Sequence, residues 1–176
     1  MEEAIRFVEG NDELARALGV EGPEELAVRP LAQGEHNVNF LLRAGDGRRF
    51  VLRINCASQL GLADQIGYEY GALRVLAPSG RTPEPLYVDG TRRRIGRGVL
   101  VESFVEGSWI DLRDPRQVRE AARALADVHS VAAPPDGALL RPEDPLRAQL
   151  ESCRRLFDGY RGSDLAEARV VGAVDE

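Results

Sequence analysis

The stretch FVLRINCASQLGLADQIGYEYGALRVL, residues 50–76, decides the predicted fold because it joins a strand pattern to a helix pattern. Phe50, Leu52 and Ile54 alternate along its first part, which predicts a β-strand with one buried face. Arg53 leaves that strand on the opposite face. Further along, apolar residues recur at spacings of four, three and four, which predicts an amphipathic helix ending before Pro78: Ile66, Tyr70, Leu73 and Ala77.

A carboxylate borders the apolar stripe of this predicted helix. Glu69 lies three residues after Ile66 and four before Leu73, so burial of the stripe removes part of its solvent. A partly buried carboxylate keeps its charge most easily beside a cation, and Arg53 is the nearest candidate in topology. The alternative interpretation is that both residues are unrelated, solvated surface charges.

The flanking sequence predicts an α+β fold. Residues 36–55, HNVNFLLRAGDGRRFVLRIN, alternate on both sides of Asp46-Gly47 and predict a β-hairpin. Other strands are predicted at 24–31, 84–90 and 96–107, and helices at 2–9, 11–18, 115–129 and 146–160. Residues 133–145 read as a connector. Because strands and helices segregate along the chain, an antiparallel sheet is favoured over a doubly wound parallel one.

Composition excludes several classes of function. The 176 residues carry a formal net charge of -6, whereas nucleic-acid binders usually have a basic surface. The run Arg92-Arg93-Arg94 stands between turn signals and is interpreted as a solvated hairpin tip, with a nucleic-acid patch as the weaker alternative. No apolar run is long enough to span a bilayer and the N-terminus is no signal peptide, so a cytoplasmic protein is predicted. Cys56 and Cys153 have no spacing typical of a metal site or disulfide framework.

Four segments together resemble the N-terminal half of the aminoglycoside phosphotransferase and choline kinase-like families. They are PLAQGEHNVNFLLRAGDGRRFVLRIN, YEYGALRVL, LVESFVEGSWI and AARALADVHS, within residues 26–130. The resemblance implies a protein-kinase-like N-lobe, an antiparallel sheet with one packed helix, that closes over ATP. It further implies a nucleotide-binding N-lobe at residues 1–105, followed at 106–176 by a linker and the first helices of a truncated C-lobe.

The same resemblance implies which residues touch the nucleotide. The turn of Gly34, Glu35, His36 and Asn37 matches the phosphate-covering loop. Arg53 matches the strand cation that contacts the α and β phosphates, and Glu69 matches the helix carboxylate that orients it. The backbone of Glu102, Ser103 and Phe104 matches the inter-lobe linker that hydrogen-bonds the adenine edge.

Two of these matched positions have alternative interpretations. Phe104 is equally well explained by core packing. His129 falls where relatives carry a histidine that ends this helix, and a structural role is preferred to a catalytic one.

The motifs for the chemical step are not in this chain. Relatives carry an H-x-D segment for the acceptor hydroxyl and a later aspartate that holds magnesium, whereas both histidines here, His36 and His129, lack the following aspartate and no D-x-D occurs. The expectation is the ATP-binding portion of a small-molecule kinase, inactive alone, with no catalytic residue in this chain and the magnesium ligands on the missing lobe. Its partners would be a nucleotide and, in the complete enzyme, a small-molecule hydroxyl acceptor.

A non-catalytic module that senses nucleotide or binds a protein partner is the alternative expectation. Such a module would have a self-sufficient surface. A portion of a larger enzyme would instead expose apolar side chains where the missing lobe docks, and these would favour self-association.

Overall fold

A five-stranded antiparallel sheet organises the described part of the chain before residue 105. The computed structural model describes residues 1–58, 61–132, 134, 139–140 and 143–175. The strands, in the spatial order β1-β2-β3-β5-β4, are β1 Ala27–Gln33, β2 Asn37–Arg43, β3 Arg49–Asn55, β4 Pro85–Asp89 and β5 Val99–Ser103. The predicted α+β class and antiparallel sheet are confirmed.

The described part of the chain also contains six α-helices: α1 Glu2–Val8, α2 Asp12–Leu18, α3 Gln65–Leu76, α4 Pro115–Ser130, α5 Pro145–Arg161 and α6 Ala168–Asp175. Short 3-10 turns span Pro23–Glu25 and Ala77–Ser79. In the described segments no helix has both the length and the apolar character needed to cross a bilayer.

The hairpin of β2 and β3 has the register that its alternation predicts. Phe40 pairs with Leu52 and Leu42 pairs with Phe50, and all four side chains are buried on one face. The turn closes where Asp46 accepts a hydrogen bond from the Arg48 amide at 2.9 Å. Because side chains alternate between faces, Arg53 is directed to the other side of the sheet.

The first two helices cover the apolar face of the sheet. Phe7, Leu14 and Leu18 pack in one cluster with Leu52 and with apolar residues of β5. Asn11, which is fully buried, joins the two helices: its Oδ1 accepts from the Leu14 amide at 3.1 Å and its Nδ2 donates to the Phe7 carbonyl at 3.2 Å. Helix α3 contacts β4 and β5 and carries the residue that meets Arg53 on the opposite face.

Some element bounds differ from the sequence prediction. The first strand was expected at 24–31, but residues 23–25 form a 3-10 turn and β1 continues through Pro30 to Gln33. Proline is tolerated because β1 is an edge strand, and its register with β2 shifts between Pro30 and Ala32. The fifth strand is shorter than predicted, at Val99–Ser103.

The chain divides into two units, Met1–Leu139 and Leu140–Glu176. The second unit contains α5 and α6, whereas the sequence predicted a single helix there. Helix α6 has eight residues, including Gly172 and three valines, and these residue types favour the helix weakly. Most of the predicted connector at 133–145 lies outside the described residues. The division at residue 105 into N-lobe and linker stays a prediction.

Candidate functional site

Arg53 and Glu69 meet between the sheet and helix α3. Arg53 Nη1 donates to Glu69 Oε2 at 3.0 Å, which brings together the two residues singled out from the sequence. The Arg53 side chain is 30% exposed and that of Glu69 is 20% exposed, so the pair is partly shielded from water. A shielded ion pair fixes the position of the guanidinium more firmly than a solvated pair does.

A second carboxylate also holds Arg53. Glu102 Oε1 accepts from Arg53 Nη2 at 3.0 Å, and its side chain is only 6% exposed. Burial raises the pKa of the Glu102 carboxyl, the charge and hydrogen bond of Arg53 oppose that rise, and the charge of Glu69 adds to it. Sequence reasoning assigned Glu102 a backbone role and missed this side-chain contact, which depends on the pairing of β3 with β5.

Helix α3 holds Glu69 in place through its first turn. Gln65 Nε2 donates to Glu69 Oε1 at 2.9 Å, and Ser58 Oγ donates in turn to Gln65 Oε1 at 2.9 Å. The helix begins at a side-chain cap, because Asp64 Oδ1 accepts from the Gly67 amide at 3.0 Å. Both oxygens of Glu69 are therefore hydrogen-bonded.

The glycine turn joins β1 to β2 and is tied to the end of β3. The His36 carbonyl accepts from the amide of Cys56 at 2.7 Å, and Asn37 Oδ1 accepts from Asn55 Nδ2 at 3.1 Å. Gly34 has no steric need to be glycine, because a Cβ there would lie 3.7 Å from the Asn37 carbonyl oxygen, an ordinary contact.

The polar side chains of this turn differ in their exposure and in their contact with the cavity. The side chain of Glu35 is 88% exposed. His36 Nδ1 is buried without a hydrogen-bond partner among the described residues. Asn37 is the member of the turn that lines the cavity beside Arg53.

A cavity of about 490 Å³ opens beside Arg53. Its volume falls in the range of small-molecule sites, about 300–1,000 Å³. The polar part of its lining consists of Asn37, Arg53, Gln65, Tyr68, Glu69 and Glu102. The apolar part consists of Ala72, Leu73 and Leu76 of α3 together with Pro83. The cavity thus combines one cation with an apolar wall.

The last residue of β5 and the residue after it use their amide donors within the fold. The Ser103 amide donates to the Glu84 carbonyl at 2.8 Å, and the Phe104 amide donates to the Arg49 carbonyl at 3.2 Å. The Arg49 guanidinium lies over the Phe104 ring, 4.6 Å from its centroid, and also pairs with Glu106. Because these two amides are already engaged, an adenine base beside this segment would have to bind its carbonyl oxygens or the amide of a later residue.

The remaining predicted features lie apart from the cavity lining. The run Arg92-Arg93-Arg94 is exposed on the turn between β4 and β5. His129 is exposed in the last turn of α4. Throughout the described residues, no group of three or more His, Cys, Asp or Glu side chains could hold a metal ion.

The comparisons with known proteins identify the family of the chain. The model of the Phosphotransferase enzyme family matches residues 27–175, which include the glycine turn and the residues that line the cavity. The chain therefore belongs to the Phosphotransferase enzyme family.

The curated proteins it matches include proteins named homoserine kinase. The protein from Rhizobium meliloti (strain 1021) is 33% identical over 127 residues, which cover 67% of this chain and 37% of that kinase. The protein from Sinorhizobium medicae (strain WSM419) is 32% identical over 130 residues, covering 69% of this chain and 38% of that kinase. The chain thus spans less than two fifths of the length of these relatives.

Proposed function

We propose that this chain is the ATP-binding portion of a small-molecule phosphotransferase, which moves the γ-phosphoryl group of ATP to a hydroxyl group. The observation that carries the proposal is the placement of Arg53. It lies at the wall of a cavity, on the sheet face that α3 covers, and a helix carboxylate holds it there. Membership of the family supports the reaction class.

The residues around Arg53 fit a phosphate tail. The Arg53 side chain is 30% exposed and lines the cavity, so its guanidinium can be reached by an acceptor there. Phosphate oxygens accept strongly from guanidinium groups, and charge-assisted bonds of this kind are about twice as strong as neutral ones. Arg53 would therefore bind the α and β phosphates while Glu69 keeps it oriented.

The turn of Gly34, Glu35, His36 and Asn37 would cover the phosphates. The surroundings of residue 34 leave room for a Cβ atom, so they do not explain why it is glycine. The approach of a ligand to the backbone would explain it. Asn37 supplies a polar side chain at the cavity, and the neighbouring His36 has a buried Nδ1 without a hydrogen-bond partner among the described residues. The adenine edge would lie against residues 102–104.

Magnesium, bound in the complete enzyme, would supply the charge neutralisation that phosphoryl transfer requires. The described residues offer no cluster that fits the ion, so its protein ligands are expected elsewhere. The acceptor is proposed to be a small alcohol. Homoserine is the first to assay, because the matched relatives are named homoserine kinases. A cytoplasmic location also stays a prediction.

Titration calorimetry with a non-hydrolysable ATP analogue tests the binding proposal. We expect weak binding to the chain, and a loss of about tenfold or more in Arg53→Ala because a charge-assisted contact is removed. Arg43→Ala, an exposed arginine of the neighbouring strand, is the matched control and should bind like the unsubstituted chain. Equal affinity of the chain and Arg53→Ala would remove Arg53 from the site.

A non-catalytic nucleotide-binding or partner-binding module is the second candidate, favoured by the sequence itself, which contains no H-x-D and no D-x-D. The two candidates differ in their surfaces. Apolar side chains are exposed along residues 105–125, with Trp109 97% exposed and Leu112 81% exposed. We expect this surface to cause self-association of the chain. Light scattering that shows a monomer over a wide concentration range would favour the module.

A further inference from the structure

The two carboxylates that hold Arg53 are not equivalent. We propose that Glu102 competes with the phosphate tail of the nucleotide for Arg53, and so acts as a positioning residue that limits nucleotide affinity. The inference rests on the proposed function. It differs from the backbone role that the sequence suggested for Glu102, because it concerns the side chain.

The charge balance around Arg53 is unfavourable for an anion. Glu69 Oε2 and Glu102 Oε1 each lie 3.0 Å from a terminal nitrogen of Arg53, so one cation faces two carboxylates. With both acids ionised the cluster carries a formal charge of -1. A phosphate group that reaches Arg53 therefore meets a net negative charge, because two carboxylates outweigh one guanidinium.

Glu102 is the carboxylate that the fold satisfies less well. Both oxygens of Glu69 accept hydrogen bonds, from Arg53 and from Gln65. Glu102 Oε2 is buried and has no partner among the described residues, although its side chain is only 6% exposed. A buried oxygen without a partner is costly, and this cost argues that the second acid is retained for its effect on Arg53.

The depths of the two acids predict opposite effects on the guanidinium. Glu102 lies deeper, at 6% exposure against 20% for Glu69. Glu102 holds Arg53 from strand β5, whereas Glu69 holds it from helix α3. Removing the Glu102 charge should free Arg53 for phosphate, and removing the Glu69 charge should leave Arg53 held by Glu102 alone.

The experiment compares three probes on the full chain by titration calorimetry: a non-hydrolysable ATP analogue, tripolyphosphate and adenosine. For Glu102→Gln we expect the ATP analogue and tripolyphosphate to bind more tightly, on the order of tenfold, because one repelling charge is lost. Adenosine, which carries no phosphate, should bind unchanged. For Glu69→Gln both phosphate probes should bind more weakly, because Arg53 is then held by Glu102 alone and the lost orientation outweighs the lost repelling charge. Glu106→Gln, an exposed acid that pairs with Arg49, is the matched control.

A purely structural role for Glu102 gives the opposite result. In that case Glu102→Gln loosens Arg53 and phosphate binding is unchanged or weaker, which overturns the inference. Glu102→Met, similar in length and uncharged, is the second variant, used if Glu102→Gln does not fold, and the same tightening is expected. Failure of the proposed function gives a different result, because Arg53→Ala would then bind the ATP analogue with the same affinity as the unsubstituted chain. If Arg53→Ala loses binding and neither Glu102 variant tightens it, only the present inference fails.

Discussion

Gly98 lies directly against Ile66, the buried residue near the start of helix α3. A Cβ atom at Gly98 would stand 2.7 Å from Ile66 Cγ2, closer than real side chains approach. Ile66 is 2% exposed and has no room to withdraw without moving the helix. The absence of a side chain at residue 98 therefore sets how close α3 comes to β5, and with it the position of Glu69.

Substitution of Gly98 by alanine should displace the first turn of α3. We expect the free energy of unfolding to fall by about 1–3 kcal/mol, the usual cost of overpacking, and the affinity for an ATP analogue to fall as Glu69 moves. Chemical denaturation and calorimetry measure the two effects. Gly45→Ala is the matched control, because a Cβ at Gly45 meets nothing within 4 Å. Equal losses in the two variants would show that α3 does not depend on this contact.

Replacing Gln65 by alanine tests whether the orientation of Glu69 matters for binding. The change removes the 2.9 Å hydrogen bond to Glu69 Oε1 and leaves the ion pair with Arg53 intact. We expect the ATP analogue to bind about two- to tenfold more weakly, which corresponds to one ordinary hydrogen bond. Gln149→Ala, an exposed glutamine of α5, is the control. Unchanged affinity in Gln65→Ala would show that Arg53 alone orients Glu69.

Arg48 connects the β2-β3 hairpin to the end of α2. Its Nη1 donates to the Leu18 carbonyl at 2.6 Å and its Nη2 donates to the Gly19 carbonyl at 2.8 Å, while its Nε pairs with Asp46. Arg48→Ala should lower the free energy of unfolding by about 1–3 kcal/mol, since hydrogen bonds from a charged group are lost at a helix end. Binding of the ATP analogue should not change, because these contacts lie on the other side of the hairpin from Arg53.

Thermal or urea unfolding checks the Arg48 prediction, with Arg43→Ala as the exposed arginine control. A variant as stable as this control would mean that α2 is held by apolar packing alone.

Local sequence patterns were enough to predict the hairpin and the Arg53 pair. The period of two puts Leu52 and Ile54 on one face, which leaves only the other face for Arg53, and the period of 3.6 places Glu69 beside the stripe of α3. The contact of Glu102 could not be predicted in this way. This contact depends on the register of β3 with β5. The two strands are separated in sequence by residues 56–98, so no local pattern sets their register.

The extension of β1 beyond Pro30 has a similar cause. Proline normally argues against a strand, and only the edge position of β1 removes the objection. Edge and centre are properties of the assembled sheet, so they cannot be read from residues 24–33 alone.

The titration of Glu102 gives a prediction about stability. Burial raises the pKa of Glu102 in the folded protein above its usual value of 4.5, so the unfolded chain loses this proton at a lower pH than the folded protein does. In the interval between the two pKa values the folded state binds more protons, and stability falls as pH rises. The contribution is fully present below pH 4.5 and is lost as pH rises through the folded-state pKa. Glu102→Gln cannot titrate and lacks this loss.

Urea unfolding of the chain and of Glu102→Gln from pH 4.5 upward measures the effect. The variant should gain stability relative to the unsubstituted chain as pH increases, and the gain should level off once Glu102 is ionised in both states. Glu21→Gln, an exposed acid near the end of α2, is the control. A constant difference between Glu102→Gln and the unsubstituted chain would mean that Arg53 fully offsets the burial of Glu102, and a difference of opposite slope would mean that the ion pair outweighs burial.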